Sequence, residues 1–162
     1  MKRVILMRHA KSSWADSTQT DHQRGLNNRG KRDAPVMAQR IVNYGILPEI
    51  MLVSDAQRTR ETWELIKDII PPCQAKFSND LYLASPQTIT KNILNTDNLI
   101  DTVLILAHNP GITEAFYSLA GVNIDNVPTS GVGCIAFDTD DFRKIEECPV
   151  KLEYFTYPKK EI

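Results

Sequence analysis

Two histidines and two arginines in this sequence have the chemistry needed to bind and transfer a phosphoryl group. His9 directly follows Arg8, whereas Arg58 and His108 lie far along the chain. A guanidinium offers a planar fork of donors to two phosphate oxygens, and an imidazole can donate a hydrogen bond or attack phosphorus. No carboxylate cage for magnesium is evident, so these side chains would supply the positive charge that phosphate requires. The four residues therefore favour phosphate as the ligand.

The positions of these residues relative to the predicted strands explain how they could meet. The segments RHAKS, SDAQRTRET and AHNPG each begin where an apolar, strand-like run ends. They are about 50 residues apart, but in an open α/β sheet the carboxyl ends of the strands form a common ligand crevice. Arg60 is the alternative to Arg58 as the second arginine in this crevice. Residues two apart on a helix face nearly opposite ways, so Arg60 is interpreted as a surface charge.

Apolar runs and helical periodicity alternate along the chain and predict an α/β fold. Strands are predicted over residues 2–7, 50–53, 75–78, 102–107, 132–137 and 151–156. Helices are predicted over residues 28–44, 56–70, 86–94 and 111–119. Pro35 fits the first helix if its regular part begins near Ala34. The last two strands have no crossover helix between them and should pair antiparallel.

The predicted architecture is a three-layer sandwich with a mostly parallel central sheet, helices on both faces and an antiparallel C-terminal part. No internal repeat or linker divides the 162 residues, so a single domain over 1–162 is expected. The chain carries 19 Lys and Arg against 20 Asp and Glu, which provides no basic field for nucleic acid or an anionic membrane. The sequence does not determine the oligomeric state.

Three cysteines, Cys73, Cys134 and Cys148, are scattered without metal-ligand spacing and are interpreted as reduced thiols. The apolar run at the start, Val4 to Met7, is too short for a signal-peptide core. No stretch approaches the ~20 apolar residues that a membrane span needs. A cytoplasmic location is therefore expected.

The motifs together resemble the histidine phosphatase superfamily (phosphoglycerate mutase-like), and within it the small phosphohistidine phosphatase, or SixA-like, branch. The resemblance covers residues 2 to 137 and rests on ordered motifs: Arg8-His9-Ala10, Ser54-x-x-x-Arg58 with Thr59 and Thr62, His108-Asn109-Pro110-Gly111, LNNRG at 26–30 and LYLASP at 81–86. Ala10 stands where many relatives have glycine. Since glycine permits backbone conformations that alanine resists, a small geometric effect is expected there.

The resemblance implies a role for each site residue. His9 would attack phosphorus and form a phosphohistidine, while Arg8, Arg58 and His108 hold the phosphate oxygens, without a metal or other cofactor. Ser12 would either contact phosphate or shape a turn. Asp21, in the polar loop after His9, is the candidate acid.

Several functions remain open from the sequence. The leading one is hydrolysis of phosphohistidine on a phosphorylated protein, because imidazole leaves as a weaker base than an alkoxide and needs less protonation. The runner-up is a phosphatase of small phosphate esters. A mutase fits less well, because mutases of the superfamily resemble longer chains with a clear acid. An inactive phosphate or phosphoprotein binder is the non-enzyme alternative, which the intact His9 disfavours.

Overall fold

Six strands form one mixed sheet in the computed structural model, which describes residues 1–160. The last two residues of the domain predicted over 1–162 lie outside the described residues. The strands are β1 Lys2–Arg8, β2 Ile50–Ser54, β3 Gln74–Ser78, β4 Thr102–Ala107, β5 Val132–Phe137 and β6 Val150–Thr156. Their order is β3-β2-β4-β1-β5-β6, and the first four are mutually parallel.

Four helices cover the two faces of the sheet. They are α1 Asn28–Tyr44, α2 Gln57–Ile66, α3 Pro86–Leu94 and α4 Gly111–Ala120. Alternate residues of β1 point to opposite faces: Ile5 packs in the cluster beneath α1 and α2, and Leu6 packs in the cluster beneath α3 and α4. Both clusters are apolar, as expected for a sheet buried on two sides.

The C-terminal strands confirm the antiparallel part of the predicted fold. Strand β5 pairs antiparallel with both β1 and β6. A register shift between Cys134 and Ile135 interrupts the ladder from β5 to β6. Together with the two helical layers, this pairing confirms the predicted three-layer α/β class. Across residues 1–160, no helix has both the length and the apolar character required to cross a membrane.

Helix α1 spans Asn28–Tyr44, which confirms the predicted bounds, and its regular part begins well before Ala34. The Asn27 side chain caps the helix by accepting a hydrogen bond from the Gly30 amide at 2.9 Å. Pro35 therefore lies inside the helix and removes the amide that would bond the Lys31 carbonyl. Lys31 is exposed, so water can satisfy that carbonyl.

Helix α2 is shorter than the predicted helix over 56–70, because it ends at Ile66. The chain continues as a turn in which the Ile69 and Ile70 amides both donate to the Ile66 carbonyl. Ile70 remains buried, which explains why the apolar periodicity extends past the helix. Pro71 follows and disfavours helical backbone at the preceding residue.

Gly111 allows α4 to pack against the segment that precedes α3. A Cβ at this position would lie 2.0 Å from the Ala84 carbonyl oxygen. We therefore expect Gly111→Ala to displace that segment and to lower the free energy of unfolding by roughly 1–3 kcal/mol. Urea unfolding measures the change. Ser118→Ala, on the exposed side of the same helix, is the control, and equal stability of the two variants would contradict the packing argument.

Candidate active site

Strand register places His9 beside His108. Strands β1 and β4 are parallel neighbours in which Arg8 pairs with Ala107, and the His9 amide donates to the Ala107 carbonyl at 3.1 Å. Each histidine is thus the first residue after its strand. The two imidazole centroids lie 5.3 Å apart, so one phosphoryl group can contact both rings.

The His9 ring is held in one tautomer and in its neutral form. Its Nδ1 lies 2.7 Å from the carbonyl oxygen of Ala10. A carbonyl oxygen can only accept, so Nδ1 carries the proton and the lone pair remains on Nε2. Burial, supported by the charges of Arg58, Arg8 and Arg24, lowers the pKa of His9 to about 3. The ring is therefore neutral at neutral pH.

His108 is held by Ser54 at the end of β2. Nε2 of His108 lies 2.7 Å from Ser54 Oγ, and that oxygen accepts a hydrogen bond from the Ala56 amide at 3.3 Å. The Ser54 hydroxyl can then donate to Nε2, which leaves the proton on Nδ1. Within residues 1–160 that Nδ1 is buried and has no partner, so it is available to a ligand oxygen. Burial first, then the neighbouring His9, lower the pKa of His108 to about 2.

Two threonines fix the start of α2 and so position Arg58. Thr59 Oγ1 lies 2.7 and 2.8 Å from the Ser54 and Ala56 carbonyl oxygens, which share its one hydroxyl proton. Thr62 Oγ1 donates to the Arg58 carbonyl and accepts from the Ala10 amide at 3.0 Å. These bonds give a structural reason for threonines at both positions of the motif.

Ala10 adopts ordinary backbone geometry. Among residues 1–160, the non-glycine residues with positive φ are Leu83 and Ser130, so Ala10 shows no conformation that requires glycine. Its amide is bonded to Thr62 rather than open toward the site. Alanine at this position therefore needs no backbone conformation that favours glycine.

The guanidinium of Arg58 is buried, whereas Arg60 faces outward as predicted. The Arg58 side chain is only 3% exposed and donates from both terminal nitrogens to Asp21, one bond going to the backbone carbonyl and one to the carboxylate. Arg60 is exposed; its Nε donates to the Asp55 carbonyl and its guanidinium lies over Phe77. The predicted choice between the two arginines agrees with this geometry.

Arg8 and Asn109 meet at one backbone carbonyl. The Arg8 Nη1 and Asn109 Nδ2 atoms donate to the Val127 carbonyl, at 3.0 and 2.9 Å. The Asn109 Oδ1 atom also accepts from the amide and the hydroxyl of Thr113 in the first turn of α4. Burial, followed by the Arg58 charge, lowers the pKa of Arg8, which shows how closely the cations are gathered.

The loop between β1 and α1 brings a third arginine to the site. Lys11 to Ser13 pair with Gly25 to Asn27, which closes the base of the loop. Arg24 is buried, donates to Ser12 Oγ and Asp21 Oδ1, and stacks on the Trp14 ring at 3.7 Å. Ser12 therefore anchors Arg24 at the base of the loop, whereas a contact between Ser12 and phosphate remains a prediction.

Asp21 is bonded as an ionised carboxylate. The hydrogen bond from the Tyr82 hydroxyl, together with those from Arg24 and Arg58, holds the pKa of Asp21 well below its usual range. A carboxylate in this state carries no proton to donate near neutral pH. The lowered pKa does not favour proton donation by Asp21, whose role as an acid stays a prediction.

Two residues of the cluster were absent from the sequence-based site. Arg24 follows Asp21 by three residues, a spacing that permits an ion pair, but a surface pair fits that spacing equally well. Tyr82 lies in the LYLASP motif. Its ring packs edge-on against His108 with centroids 5.5 Å apart, a contact that depends on the tertiary fold.

The two buried histidines should make the protein sensitive to mild acid. In the unfolded chain each ring binds a proton below about pH 6.5, whereas in the folded protein it stays neutral until far lower pH. Between pH 7 and pH 5 each ring should lower the free energy of unfolding by about 2 kcal/mol. The lowered pKa of Asp21 affects stability only near and below pH 4.

Urea unfolding at pH 7, 6 and 5 measures this dependence. The variant His9→Gln lacks one of the two titrating rings, so it should lose about half as much stability as the parent over the same range. Equal stability of the parent at pH 7 and pH 5 would contradict the assignment of neutral rings.

Within residues 1–160, no group of three or more His, Cys, Asp or Glu side chains is arranged to hold a metal ion. Among these residues, the charged groups at the site are the guanidiniums of Arg8, Arg24 and Arg58 and the carboxylate of Asp21. Positive charge is therefore in excess where a phosphate would bind.

Known sequences match this chain over most of its length. The profile described as the histidine phosphatase superfamily (branch 1) matches residues 4–81, which include Arg8, His9 and Arg58. An uncharacterized chloroplastic protein of Arabidopsis thaliana is 36% identical over 133 residues, 76% of this chain and 61% of that protein, so the chain spans less than two thirds of that relative. An uncharacterized protein of Mycobacterium leprae is 31% identical over 141 residues, 80% of this chain and 86% of that protein.

Solved structures share the fold. The SixA protein of Agrobacterium tumefaciens, proposed to be a phosphohistidine phosphatase, has a TM-score of 0.84 at 24% identity, over 97% of this chain and 98% of that one. The protein histidine phosphatase SixA complexed with tungstate gives 0.82 at 20% identity, over 96% and 97%. A mycobacterial glucosyl-3-phosphoglycerate phosphatase gives 0.68 at 12% identity, over 94% and 97%. The profile match confirms the predicted superfamily, and the shared fold agrees with it: the chain belongs to the histidine phosphatase superfamily.

Proposed function

We propose that this protein is a SixA-like phosphatase that removes the phosphoryl group from phosphohistidine on a protein, through a phosphohistidine intermediate at His9. The observation that carries the proposal is the state of His9. Its proton is held on Nδ1 by the Ala10 carbonyl, and its neutral Nε2 lies in a cluster of arginines beside His108. A neutral imidazole with a free lone pair, surrounded by guanidiniums, is suited to attack a phosphoryl group.

In the proposed reaction, His9 Nε2 forms a bond to phosphorus while the bond to the leaving group breaks on the opposite side. Arg8, Arg58 and His108 Nδ1 hold the three equatorial oxygens, where charge is spread in a loose transition state. Water then attacks the phosphohistidine, which releases inorganic phosphate and restores His9. The first displacement needs no metal ion, because the guanidiniums balance the phosphate charge.

The charge state of Asp21 favours phosphohistidine over phosphate esters. Within residues 1–160, Asp21 is the one carboxylate hydrogen-bonded to Arg8, Arg24 or Arg58, and its pKa is lowered. An alkoxide leaves poorly without a proton donor, whereas imidazole is a far weaker base. The similar SixA structures, which are described as histidine phosphatases, support phosphohistidine as the substrate. The similar glucosyl-3-phosphoglycerate phosphatase supports a small phosphate ester as the runner-up.

Phosphate release from three substrates in chelator tests the proposal. The substrates are a phosphohistidine peptide, a sugar phosphate and an aryl phosphate, each compared by kcat/KM. We expect release from the peptide without added metal and much slower release from the sugar phosphate. Equal rates on the peptide and the sugar phosphate would remove the phosphohistidine assignment. Release from none of the three by folded, phosphate-binding protein would favour the inactive binder.

A further inference from the structure

The carboxylate of Asp21 is the solvent-exposed partner in its ion pair with Arg58. Its side chain is 43% exposed, whereas the Arg58 side chain that it contacts is 3% exposed. His9 is also buried, at 5% exposed. A phosphoryl group between the arginines would have His9 beneath it and the Asp21 carboxylate toward solvent.

The geometry of in-line displacement determines where the leaving group lies. The bond that breaks lies opposite the attacking nitrogen, so the leaving group must lie on the solvent side of the phosphoryl group. Arg58, Arg24 and the Tyr82 hydroxyl each donate one hydrogen bond to the Asp21 carboxylate, and Arg58 donates a second bond to the Asp21 backbone carbonyl. The carboxylate is thus a rigid negative charge beside the path of the leaving group.

The bonding also leaves one oxygen with spare capacity. Oδ2 accepts from Arg58 and Tyr82, but Oδ1 accepts only from Arg24 among residues 1–160. A carboxylate oxygen can accept two hydrogen bonds. Oδ1 can therefore accept one more donor, and a cationic donor would be favoured over a neutral one.

We propose that Asp21 is a leaving-group subsite that accepts a hydrogen bond from a protonated nitrogen leaving group, so that the enzyme selects phosphoramidates over phosphate esters. The proposal rests on the proposed phosphatase function and narrows its substrate class. The imidazole ring of phosphohistidine is the fitting case, because its second nitrogen can carry the proton that Asp21 would bind.

The reaction balances without an added acid. The substrate ring is an imidazolium with phosphorus on one nitrogen and hydrogen on the other. His9 Nε2 bonds to phosphorus, the substrate's phosphorus–nitrogen bond breaks, and its electron pair stays on the ring, which leaves as neutral imidazole. Asp21 acts by increasing the fraction of bound substrate that carries the ring proton. An ester oxygen gains negative charge as it leaves, so the same carboxylate repels it.

Two small substrates that differ only in the leaving group test the subsite. Phosphoimidazole and phenyl phosphate are compared for the parent and for Asp21→Asn, which keeps an oxygen to accept from Arg58. We expect kcat/KM for phosphoimidazole to fall by roughly tenfold or more, since charge-assisted hydrogen bonds are stronger than neutral ones. We expect kcat/KM for phenyl phosphate to rise. Asp16→Asn, another aspartate in the same loop, should change neither value.

An equal fall for both substrates would overturn the subsite, because Asp21 would then only position Arg58. Unchanged values for both would overturn it as well. Tyr82→Phe distinguishes the effect of the Asp21 charge from the effect of its exact position. This variant removes one hydrogen-bond donor to Asp21 but keeps the negative charge. The preference for phosphoimidazole should therefore persist. Loss of the proposed phosphatase function has a different signature, in which the parent releases phosphate from neither substrate.

A measurement on the parent alone covers the case in which Asp21→Asn does not fold. Imidazole at pH 6 is largely protonated, and it should lower the Kd for inorganic phosphate by about threefold or more if Asp21 binds the cation beside the phosphate. Phenol at the same concentration should not. Identical effects of imidazole and phenol would contradict the subsite.

Discussion

Replacing His9 with alanine should lower phosphate release from a phosphohistidine peptide by roughly 10⁴-fold or more, the scale seen when a covalent nucleophile is removed. The remaining cluster would still bind phosphate, because Arg8, Arg58 and His108 do not depend on the His9 ring for their hydrogen bonds. KM should therefore change far less than kcat. Steady-state release of phosphate in chelator, together with the affinity for inorganic phosphate, measures both effects.

His22→Ala is the matched control, because it also removes an imidazole near the site. His22 lies at the rim, where its Nε2 atom contacts the Asp55 carboxylate at 2.7 Å and its ring packs edge-on against Tyr82. We expect its loss to lower release by less than tenfold. Rapid quenching into alkali should also trap an acid-labile phosphoenzyme from the parent and none from His9→Ala. Release by His9→Ala within tenfold of the parent would exclude His9 as the nucleophile.

The elements that carry the site could be predicted because strand ends show clearly in the sequence. The apolar runs before Arg8 and His108 are buried strands that lie side by side, and their register alone places the two histidines together. The position of Arg58 also follows from local rules, since its distance from Ser54 fixes its place in the first turn of α2. These predictions rest on short-range patterns, which sequence records well.

The parts that could not be predicted depend on contacts between distant segments. Tyr82 reaches Asp21 across 61 positions in sequence, and no local pattern indicates that contact. That contact and the two arginines lower the pKa of Asp21 below its ordinary value, and the loop sequence alone does not indicate this lowering. The predicted end of α2 at residue 70 is wrong for a different reason. Ile70 lies in the turn after the helix and is nevertheless buried, so the apolar pattern continues past the last helical residue, Ile66.

The net charge of the whole chain does not indicate the charge of the site. Lys and Arg nearly balance Asp and Glu overall, yet three guanidiniums converge at one edge of the sheet. Local concentration of charge, with burial that weakens screening by water, would set the proposed affinity for phosphate. A chain of net charge −1 can therefore hold a strongly positive site.

Replacing Arg58 with lysine should lower kcat/KM for the phosphohistidine peptide by about 10²- to 10³-fold, although the positive charge is kept. Arg58 donates from both terminal nitrogens at 2.8 and 3.1 Å, a fork that also matches two phosphate oxygens. A lysine ammonium offers a single point of charge and cannot reproduce that geometry. The affinity for inorganic phosphate, measured by calorimetry, should fall in parallel.

Arg60→Lys is a closely matched control, because it makes the same substitution two residues further along α2. Arg60 is exposed and donates to the Asp55 carbonyl, so its replacement should change kcat/KM by less than twofold, as expected for a surface charge. If Arg58→Lys kept the activity of the parent, positive charge alone would suffice, and the proposed binding of two phosphate oxygens by the two terminal nitrogens of Arg58 would be wrong. If both variants lost activity equally, the fault would lie in α2 as a whole, since the two arginines share only that helix.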